Sequence, residues 1–501
     1  MLSVSQVKKQ EYQKVLFSIC LGVLTGACLT FNLWIFYFFA TVIFCIIWIK
    51  KAFIDNESRF LIKLFLLSLF LRIFAVMITR PFVILLSNGL DIFGDGMACV
   101  INGFVISETI KGSLNDINSK ILLNKQIFQF ISLHHLQGWT GKFWALDSWA
   151  GSLPRINTYQ VGGFGYFLSM LYYFFGFSPL TGIFVNCLLG SSLCLPVYSI
   201  TNKILNNRIM AKFSAVFISF FPSLFLWSIV NLKEIFSISF NLLIILCIFM
   251  IVTEHKKIPL YLFFILTLTL LQLAMRPQFI PLLLIYYLLI FIIFGIRRKR
   301  WVFLFLIFLF SFMCLFPKSR NFMNRSFLTT TEMLHRRIIL ALKAHGGHVS
   351  KGGSYYKILN EPYPKIKDGS YYKTFFDGMT SKDIAKAYFL GMVHFIFEPF
   401  SRETNNFSKL IAYPQTMLCY FLLLFFFIGL FVSARHNFPA FLVLFLYLFI
   451  FSSSIALQEG NVGSLVRHRD IVTPIFIVFS SIGLVNSLGL LRRKKGVENY
   501  A

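Results

Sequence analysis

Long apolar segments recur along this chain, and they limit what it can fold into. A run of about 18 or more apolar residues is long enough to cross the hydrocarbon layer of a membrane as an α-helix. The sequence therefore predicts an all-α membrane protein, a polytopic helical bundle of about 12 (11–13) transmembrane helices forming a single membrane domain, 1–501. The predicted spans are 15–31, 32–49, 60–86, 213–231, 235–253, 259–275, 278–296, 301–316, 413–432, 439–457 and 472–491, and 159–200 holds two further apolar stretches.

The distribution of basic residues predicts how these spans are oriented. The net charge is +27, and most Lys and Arg lie in short connections, which is the pattern of cytoplasmic loops rather than of a nucleic-acid partner. Clusters at Lys8–Lys9, Arg297–Arg300 and Arg492–Lys495 predict cytoplasmic N- and C-termini. Consistent alternation requires 159–200 to cross an odd number of times, so one stretch there is re-entrant or one boundary is misplaced. The Phe, Ile and Lys bias suggests an AT-rich bacterial genome, and the expected location is a bacterial inner membrane.

With this orientation, five connections lie together on the extracytoplasmic face. Two are long loops, 87–158 and 317–412, and we expect them to carry helices at 97–110, 119–136 and 381–398 that lie along the membrane surface. The other three are the turn Asn231–Glu234, the turn Met275–Gln278 and the loop Gln458–Asp470. Only cytoplasmic clusters were used to orient the chain, so this co-location is an independent result.

Asp95 and Asp91 lie between glycines at the start of the first long loop. A carboxylate at the edge of the hydrocarbon layer is costly unless it has a function or a partner. Asp95 is therefore a candidate general base or anchor for an acceptor, with Asp91 as a supporting residue. The alternative for Asp95 is an Asp that caps a helix in a glycine-rich turn.

Several charged residues on the same face suit an anionic ligand. Lys233 and Glu234 occupy a tight turn, where they either bind a ligand or simply pair with each other. Arg276 precedes Pro277 between two spans, and Arg467 and Arg469 enter the last span together. Arginine outside the cytoplasm departs from the positive-inside rule. Its guanidinium can bind a phosphate through two hydrogen bonds at once. Arg276 can also snorkel to lipid headgroups.

No cofactor is expected. The histidines at 134–135, 345 and 348 have no accompanying carboxylate or cysteine set, so no metal site is predicted. The sequence has no glycine-rich nucleotide loop, which argues for an energy-rich donor already in the membrane.

Four stretches together resemble the GT-C class of integral-membrane glycosyltransferases, similar to family 39 and the protein mannosyltransferases. They are IFGDGMACVINGFVIS at 92–107, the aromatic-rich 159–205, FPSLFLWSIVNLKEIFSIS at 221–239 and GNVGSLVRHRDIVTPIF at 460–476. The resemblance implies that Asp95 activates the acceptor and that Lys233, Arg276, Arg467 and Arg469 hold a carrier phosphate. Gly96 stands where many members have a second acidic residue.

The expected function is transfer of a hexose or pentose from a polyprenyl-phosphate carrier to a lipid, glycan or protein acceptor. In this function Asp95 and Asp91 are catalytic, and Lys233, Glu234, Arg276, Arg467 and Arg469 bind the donor phosphate. The expected partners are the polyprenyl-phosphate sugar, membrane lipids and the acceptor. Two alternatives share the basic residues: a lipid-linked oligosaccharide flippase or exporter, and a polysaccharide polymerase or ligase. A polymerase or ligase would rely on arginine and histidine rather than on an early Asp.

Overall fold

The computed structural model describes residues 33–87, 91, 94–111, 158–254, 258–295, 338, 341–342, 380–398, 407–460 and 462–489. Within these ranges the regular structure is helical and contains no β-strand. A 3₁₀ turn, Pro277–Phe279, and a π turn, Phe291–Gly295, flank helix α11. The helices are α1 Leu33–Ala52, α2 Asp55–Ser87, α3 Gly94–Ile110, α4 Thr158–Phe175, α5 Pro179–Ser192, α6 Cys194–Leu205, α7 Arg208–Phe220, α8 Pro222–Ser228, α9 Glu234–Glu254, α10 Ile258–Met275, α11 Ile280–Ile290, α12 Ser381–Phe397, α13 Phe407–His436, α14 Phe438–Gln458, α15 Val462–Arg469 and α16 Thr473–Ser487.

Seven helices in the described part are long and apolar enough to cross a membrane, or nine if each of two broken helix pairs counts as one span. This confirms a helical, multi-pass membrane protein, but the predicted count of about 12 is not confirmed. The seven are Asp55–Val83, Pro179–Leu205, Glu234–Glu254, Ile258–Met275, Pro277–Phe294, Pro414–His436 and Phe438–Gln458.

The remaining predicted spans have different outcomes. Those at 15–31 and 301–316 lie outside the described residues. Helix α1 covers 33–49 of the span predicted at 32–49 but is not among the seven, and within 159–200 only Pro179–Leu205 qualifies.

Two predicted spans are broken. The helix expected over 213–231 stops at Phe220, because Pro222 lacks an N–H and biases the residue before it toward extended backbone; Phe221 accordingly has φ −63° and ψ 123°. The span expected over 472–491 is replaced by α15 and α16, which are bent by 64° at residues 470–472.

The described chain divides into two compact units. Unit 1 comprises residues 1–192 and 225–235, and unit 2 comprises 193–224 and 236–501. In unit 1, α3 packs against α4, and α2 packs against α1 and α5. The α3–α4 contact is close, since a Cβ on Gly103 would lie 2.8 Å from Cβ of Leu168.

Two of the predicted surface helices lie in the described part of the chain. Helix α3 covers 97–110, and its Val100 and Phe104 are buried in unit 1, whereas Ile110 at its end is exposed. Helix α12 covers 381–397 and begins with a capping box between Thr380 and Asp383. The helix predicted at 119–136 lies outside the described residues.

In unit 2, the closest packing joins α13 and α16. Gly429 and Gly483 face each other there: an added Cβ would lie 1.8 Å from the carbonyl oxygen of Phe479 and 1.9 Å from that of Phe425, respectively. Small residues let helix backbones approach in this way inside membranes. Helix α14 packs against α11, α12 and α13 and extends the unit.

Candidate functional site

In unit 1, two buried asparagines hold the turn that connects α8 to α9. Asn186 of α5 donates from Nδ2 to the carbonyl oxygens of Val230, at 2.5 Å, and Leu232, at 3.0 Å. Asn231 donates from Nδ2 to the carbonyl oxygen of Pro179 at 3.0 Å. Both asparagines have no exposed surface. The turn is therefore fixed by amide side chains that satisfy backbone groups which water cannot reach.

Asp91 lies against this turn. Its Oδ2 accepts the backbone N–H of Asn231 at 2.6 Å, and the residue is 2% exposed. The Arg80 guanidinium of α2 interacts electrostatically with this carboxylate. The Asp91 loop and the Asn231–Glu234 turn, which the sequence analysis gave as separate candidate sites, are therefore in contact in the structure. A buried carboxylate with these partners positions the turn.

Gly96 explains how the Asp91 carboxyl reaches the first turn of α3. A Cβ at Gly96 would lie 2.6 Å from the Asp91 Cγ, so any larger residue would displace the carboxyl group. Glycine at position 96 therefore has a packing reason in this chain. A carboxylate beside a helix N-terminus is also favoured by the helix dipole.

Asp95 is the second residue of α3, one position inside the helix. This places it in the first turn, where the helix dipole stabilises acidic side chains. The position is consistent with a role in stabilising the helix and with a catalytic one. Its assignment as the acceptor-activating residue stays a prediction.

Lys233 and Glu234 form the end of the same turn. Lys233 is half-buried, and Glu234 is the first residue of α9 and 2% exposed. Because Asn186, Asn231 and Asp91 fix the preceding backbone, both charged residues are held at a defined place in unit 1.

In unit 2, the turn at Arg276 meets helix α15. The Arg276 guanidinium Nη1 contacts Nε2 of His468, and Nδ1 of His468 contacts Oε1 of Glu459. Oε2 of Glu459 accepts a hydrogen bond of 2.7 Å from the hydroxyl of Ser464. The Phe279 ring stands edge-on to the His468 ring at 6.0 Å. We call Arg276, His468 and Glu459 the Arg–His–Glu cluster.

The chemistry of the cluster fixes the tautomer of His468. Arginine donates hydrogen bonds and cannot accept them, so Nε2 of His468 must accept from Arg276. The ring proton then lies on Nδ1, which donates to Glu459. The histidine is neutral in this arrangement and bridges a buried cation and a buried anion: Arg276 and Glu459 are each 2% exposed.

Arg469 points into a different part of unit 2. Its Nη1 donates to the carbonyl oxygens of Phe395, at 3.1 Å, and Glu398, at 3.0 Å, at the C-terminal end of α12. Its Nε and Nη2 are buried and have no hydrogen-bond partner among the described residues. Part of the guanidinium therefore caps α12. Arg467, two positions earlier, is half-buried.

An apolar groove of about 290 Å³ lies in unit 2 between α12, α13, α14 and the start of α16. Its described lining is uncharged except for Arg469, and its polar residues include Cys419, Ser452 and Thr473. The remainder of the lining is made of aliphatic and aromatic side chains such as Leu430 and Phe445. The groove has the composition of a hydrocarbon-binding surface with a cation in its wall.

The predicted site residues thus assemble into two groups. Asp91, Lys233 and Glu234 converge in unit 1, and Arg276 converges in unit 2 with the helix that carries Arg467 and Arg469. Sequence reasoning did not assign His468, Glu459 or Arg80 a role. Arg80 has a signal that could have identified it, because a charged residue inside an apolar span is costly without a partner.

No group of three or more His, Cys, Asp or Glu residues in the described part of the chain could hold a metal ion. The fold defines a helical, multi-pass membrane protein. Compared with known proteins, the chain matches no family model, no curated sequence and no solved structure.

Proposed function

We propose that this protein is a membrane glycosyltransferase that moves a sugar from a polyprenyl-phosphate carrier to a lipid, glycan or protein acceptor at the extracytoplasmic face. The observation that carries the proposal is the apolar groove of unit 2 with Arg469 in its wall. The preceding residue on the same helix, His468, belongs to the Arg–His–Glu cluster. A lipid phosphate needs this combination, because its tail requires apolar surface and its head requires a cation.

The occupant of the groove in this proposal is the hydrocarbon chain of the carrier lipid. Charge complementarity supports this choice, since Arg469 supplies the positive charge that an uncharged lipid would not need. The groove volume of about 290 Å³ and its aliphatic and aromatic lining suit part of a hydrocarbon chain.

In this function Arg276, Arg467 and Arg469 of unit 2 bind the donor phosphate. Asp95 orients and deprotonates the acceptor hydroxyl. The acceptor oxygen attacks the anomeric carbon, and the anomeric C–O bond breaks with its electron pair remaining on the phosphate oxygen. The acceptor proton passes to the Asp95 carboxylate and then to water. Direct displacement of this kind inverts the anomeric centre.

The test uses the full-length protein reconstituted in liposomes. Radiolabelled hexoses and pentoses linked to farnesyl phosphate serve as donors, and a cell-envelope extract supplies the acceptor. We expect transfer of label that is lost in Asp95→Asn and reduced at least tenfold in Arg276→Gln. Arg435→Gln, which changes an exposed arginine at the end of α13, is the matched control and should retain activity. Absence of transfer from every donor would overturn the proposal.

A polysaccharide polymerase or ligase is the second candidate, and the Arg–His–Glu cluster favours it, because this class relies on arginine and histidine. The same assay separates the two functions. The discriminating variant is Asp95→Asn, in which a polymerase or ligase would remain active and the proposed glycosyltransferase would not.

A further inference from the structure

We propose that His468 is a proton-linked phosphate ligand: it takes up a proton when a phosphate binds beside Arg276 and then donates Nε2–H to a phosphate oxygen. The inference rests on the proposed function and names a residue and a linked proton for the same site. It is carried by the hydrogen-bond chain from Arg276 through His468 to Glu459.

The first step of the argument concerns charge. Arg276 and Glu459 are both buried and their charges balance, with a neutral imidazole between them. A phosphodiester arriving at Arg276 brings one negative charge into this buried site. An uncompensated buried charge is costly, and the group in the cluster that can supply a compensating proton is His468.

The second step concerns geometry. In the absence of a ligand, Nε2 of His468 accepts from Arg276 and cannot donate to an anion. Protonation turns Nε2 into a donor while Nδ1–H remains bonded to Glu459. Two donors, Nε2–H of His468 and Nη1–H of Arg276, then face each other, and an anion that accepts from both relieves their repulsion. Glu459 balances the new imidazolium charge, so the protonated histidine has partners on both sides.

The third step concerns access. The His468 side chain is 17% exposed, whereas that of Glu459 is 3% exposed. His468 is therefore the most accessible member of the cluster, and an approaching anion meets it first. The charged groups bonded to its ring come from two other elements, Arg276 from the turn after α10 and Glu459 from the end of α14.

The linkage has a definite sign. Because the bound state carries one more proton than the free state, phosphate affinity must rise as pH falls. For one linked proton the limit is about tenfold per pH unit. A neutral glutamine at position 468 can accept from Arg276 but cannot take up a proton, so the linkage should disappear.

The probe for the experiment is farnesyl methyl phosphate, a diester that stays a monoanion between about pH 5 and 9. A monoester would complicate the measurement, because its second pKa is near 6. Binding to the full-length protein in detergent is measured by calorimetry at several pH values. At one pH, the binding enthalpy is measured in buffers of different ionisation enthalpy. Its dependence on the buffer gives the number of protons taken up on binding, and this measurement needs no variant.

For the wild type we expect uptake of up to about one proton and an affinity that falls severalfold from pH 6 to pH 8. His468→Gln should bind more weakly at pH 6 and show a flat pH profile, and Glu459→Gln should take up fewer protons. Arg435→Gln, the exposed control, should behave as wild type. A wild type that binds the diester without proton uptake would overturn this inference alone. A wild type that does not bind the diester at any pH would overturn the proposed function as well.

Discussion

The backbone N–H of Asn231 donates a hydrogen bond of 2.6 Å to the carboxylate of Asp91, 140 positions earlier in the chain. This contact joins the loop after α2 to the turn before α9 within unit 1. It is buried at both ends, since Asp91 is 2% exposed and Asn231 is fully buried. The position of Lys233, two residues further on, therefore depends on a carboxylate far away in sequence.

Replacing Asp91 tests this dependence. Asp91→Ala leaves the Asn231 N–H and the Arg80 charge without this acceptor, and a buried donor without a partner costs about 1–3 kcal/mol. We expect a lower thermal unfolding temperature in detergent, with a smaller decrease for Asp91→Asn, because the amide oxygen can still accept. Arg435→Gln, which changes an exposed side chain at the end of α13, is the control. Wild-type stability with complete loss of transfer in Asp91→Asn would instead make Asp91 catalytic.

Replacing Gly182 tests how closely the Asn231 turn packs against α5. A Cβ at Gly182 would lie 2.4 Å from Oδ1 of Asn231 and 2.5 Å from Cδ2 of Leu168. Overpacking of this kind costs about 1–3 kcal/mol, so Gly182→Ala should lower the unfolding temperature and displace the turn. Ser192→Ala removes a hydroxyl that bonds only within the same helix and should have little effect. Equal stability of the two variants would refute the close packing.

The sequence predicted the helical class, most spans in the described part and the charged turns, because apolar run length and charge placement are local properties. It could not predict which turns meet. The contacts of Asp91 with Asn231 and of Arg276 with His468 join residues 140 and 192 positions apart, and hydropathy carries no information about such pairs. It also missed the break at Phe220, although Pro222 was a visible signal for it.

At the crossing of α13 and α16, replacing a glycine with a larger residue should strongly reduce stability. Gly429 and Gly483 each face a backbone carbonyl oxygen at less than 2 Å from an added Cβ, and backbone atoms cannot rotate away. Gly483→Ala should therefore separate the helices and lower stability by at least about 1–3 kcal/mol. Phe431→Ala changes a side chain on α13 that is 68% exposed, and in detergent it should have a much smaller effect. The measurement is thermal unfolding followed by size-exclusion chromatography.

The start of α12 should depend on pH. The hydroxyl and backbone N–H of Thr380 donate to the Asp383 carboxylate and lower the pKa of Asp383 below its ordinary value of 3.8. Because the folded pKa is the lower one, the stabilisation is fully present above the unfolded pKa and is lost as pH falls through the folded pKa. Hydrogen exchange in the first turn of α12, corrected for intrinsic rates, should be protected at pH 6 and lose protection below about pH 4.

The matched variant for the start of α12 is Asp383→Asn. It should exchange faster than wild type at pH 6 and converge with wild type in acid. Protection that is the same in both proteins at pH 6 would show that the capping box contributes nothing to this helix.

Arg469 has two roles in this structure, and one variant separates them. Its Nη1 donates to the carbonyl oxygens of Phe395 and Glu398, and its guanidinium also lines the apolar groove. Hydrogen bonds from a charged group are worth about 1.5–3 kcal/mol, so Arg469→Gln should destabilise the end of α12 and raise hydrogen exchange there. If the groove binds a lipid phosphate, the same variant should also weaken farnesyl methyl phosphate binding at least tenfold, whereas Arg435→Gln should change neither measurement. Faster exchange with unchanged affinity would assign Arg469 to capping alone and remove it from the phosphate site.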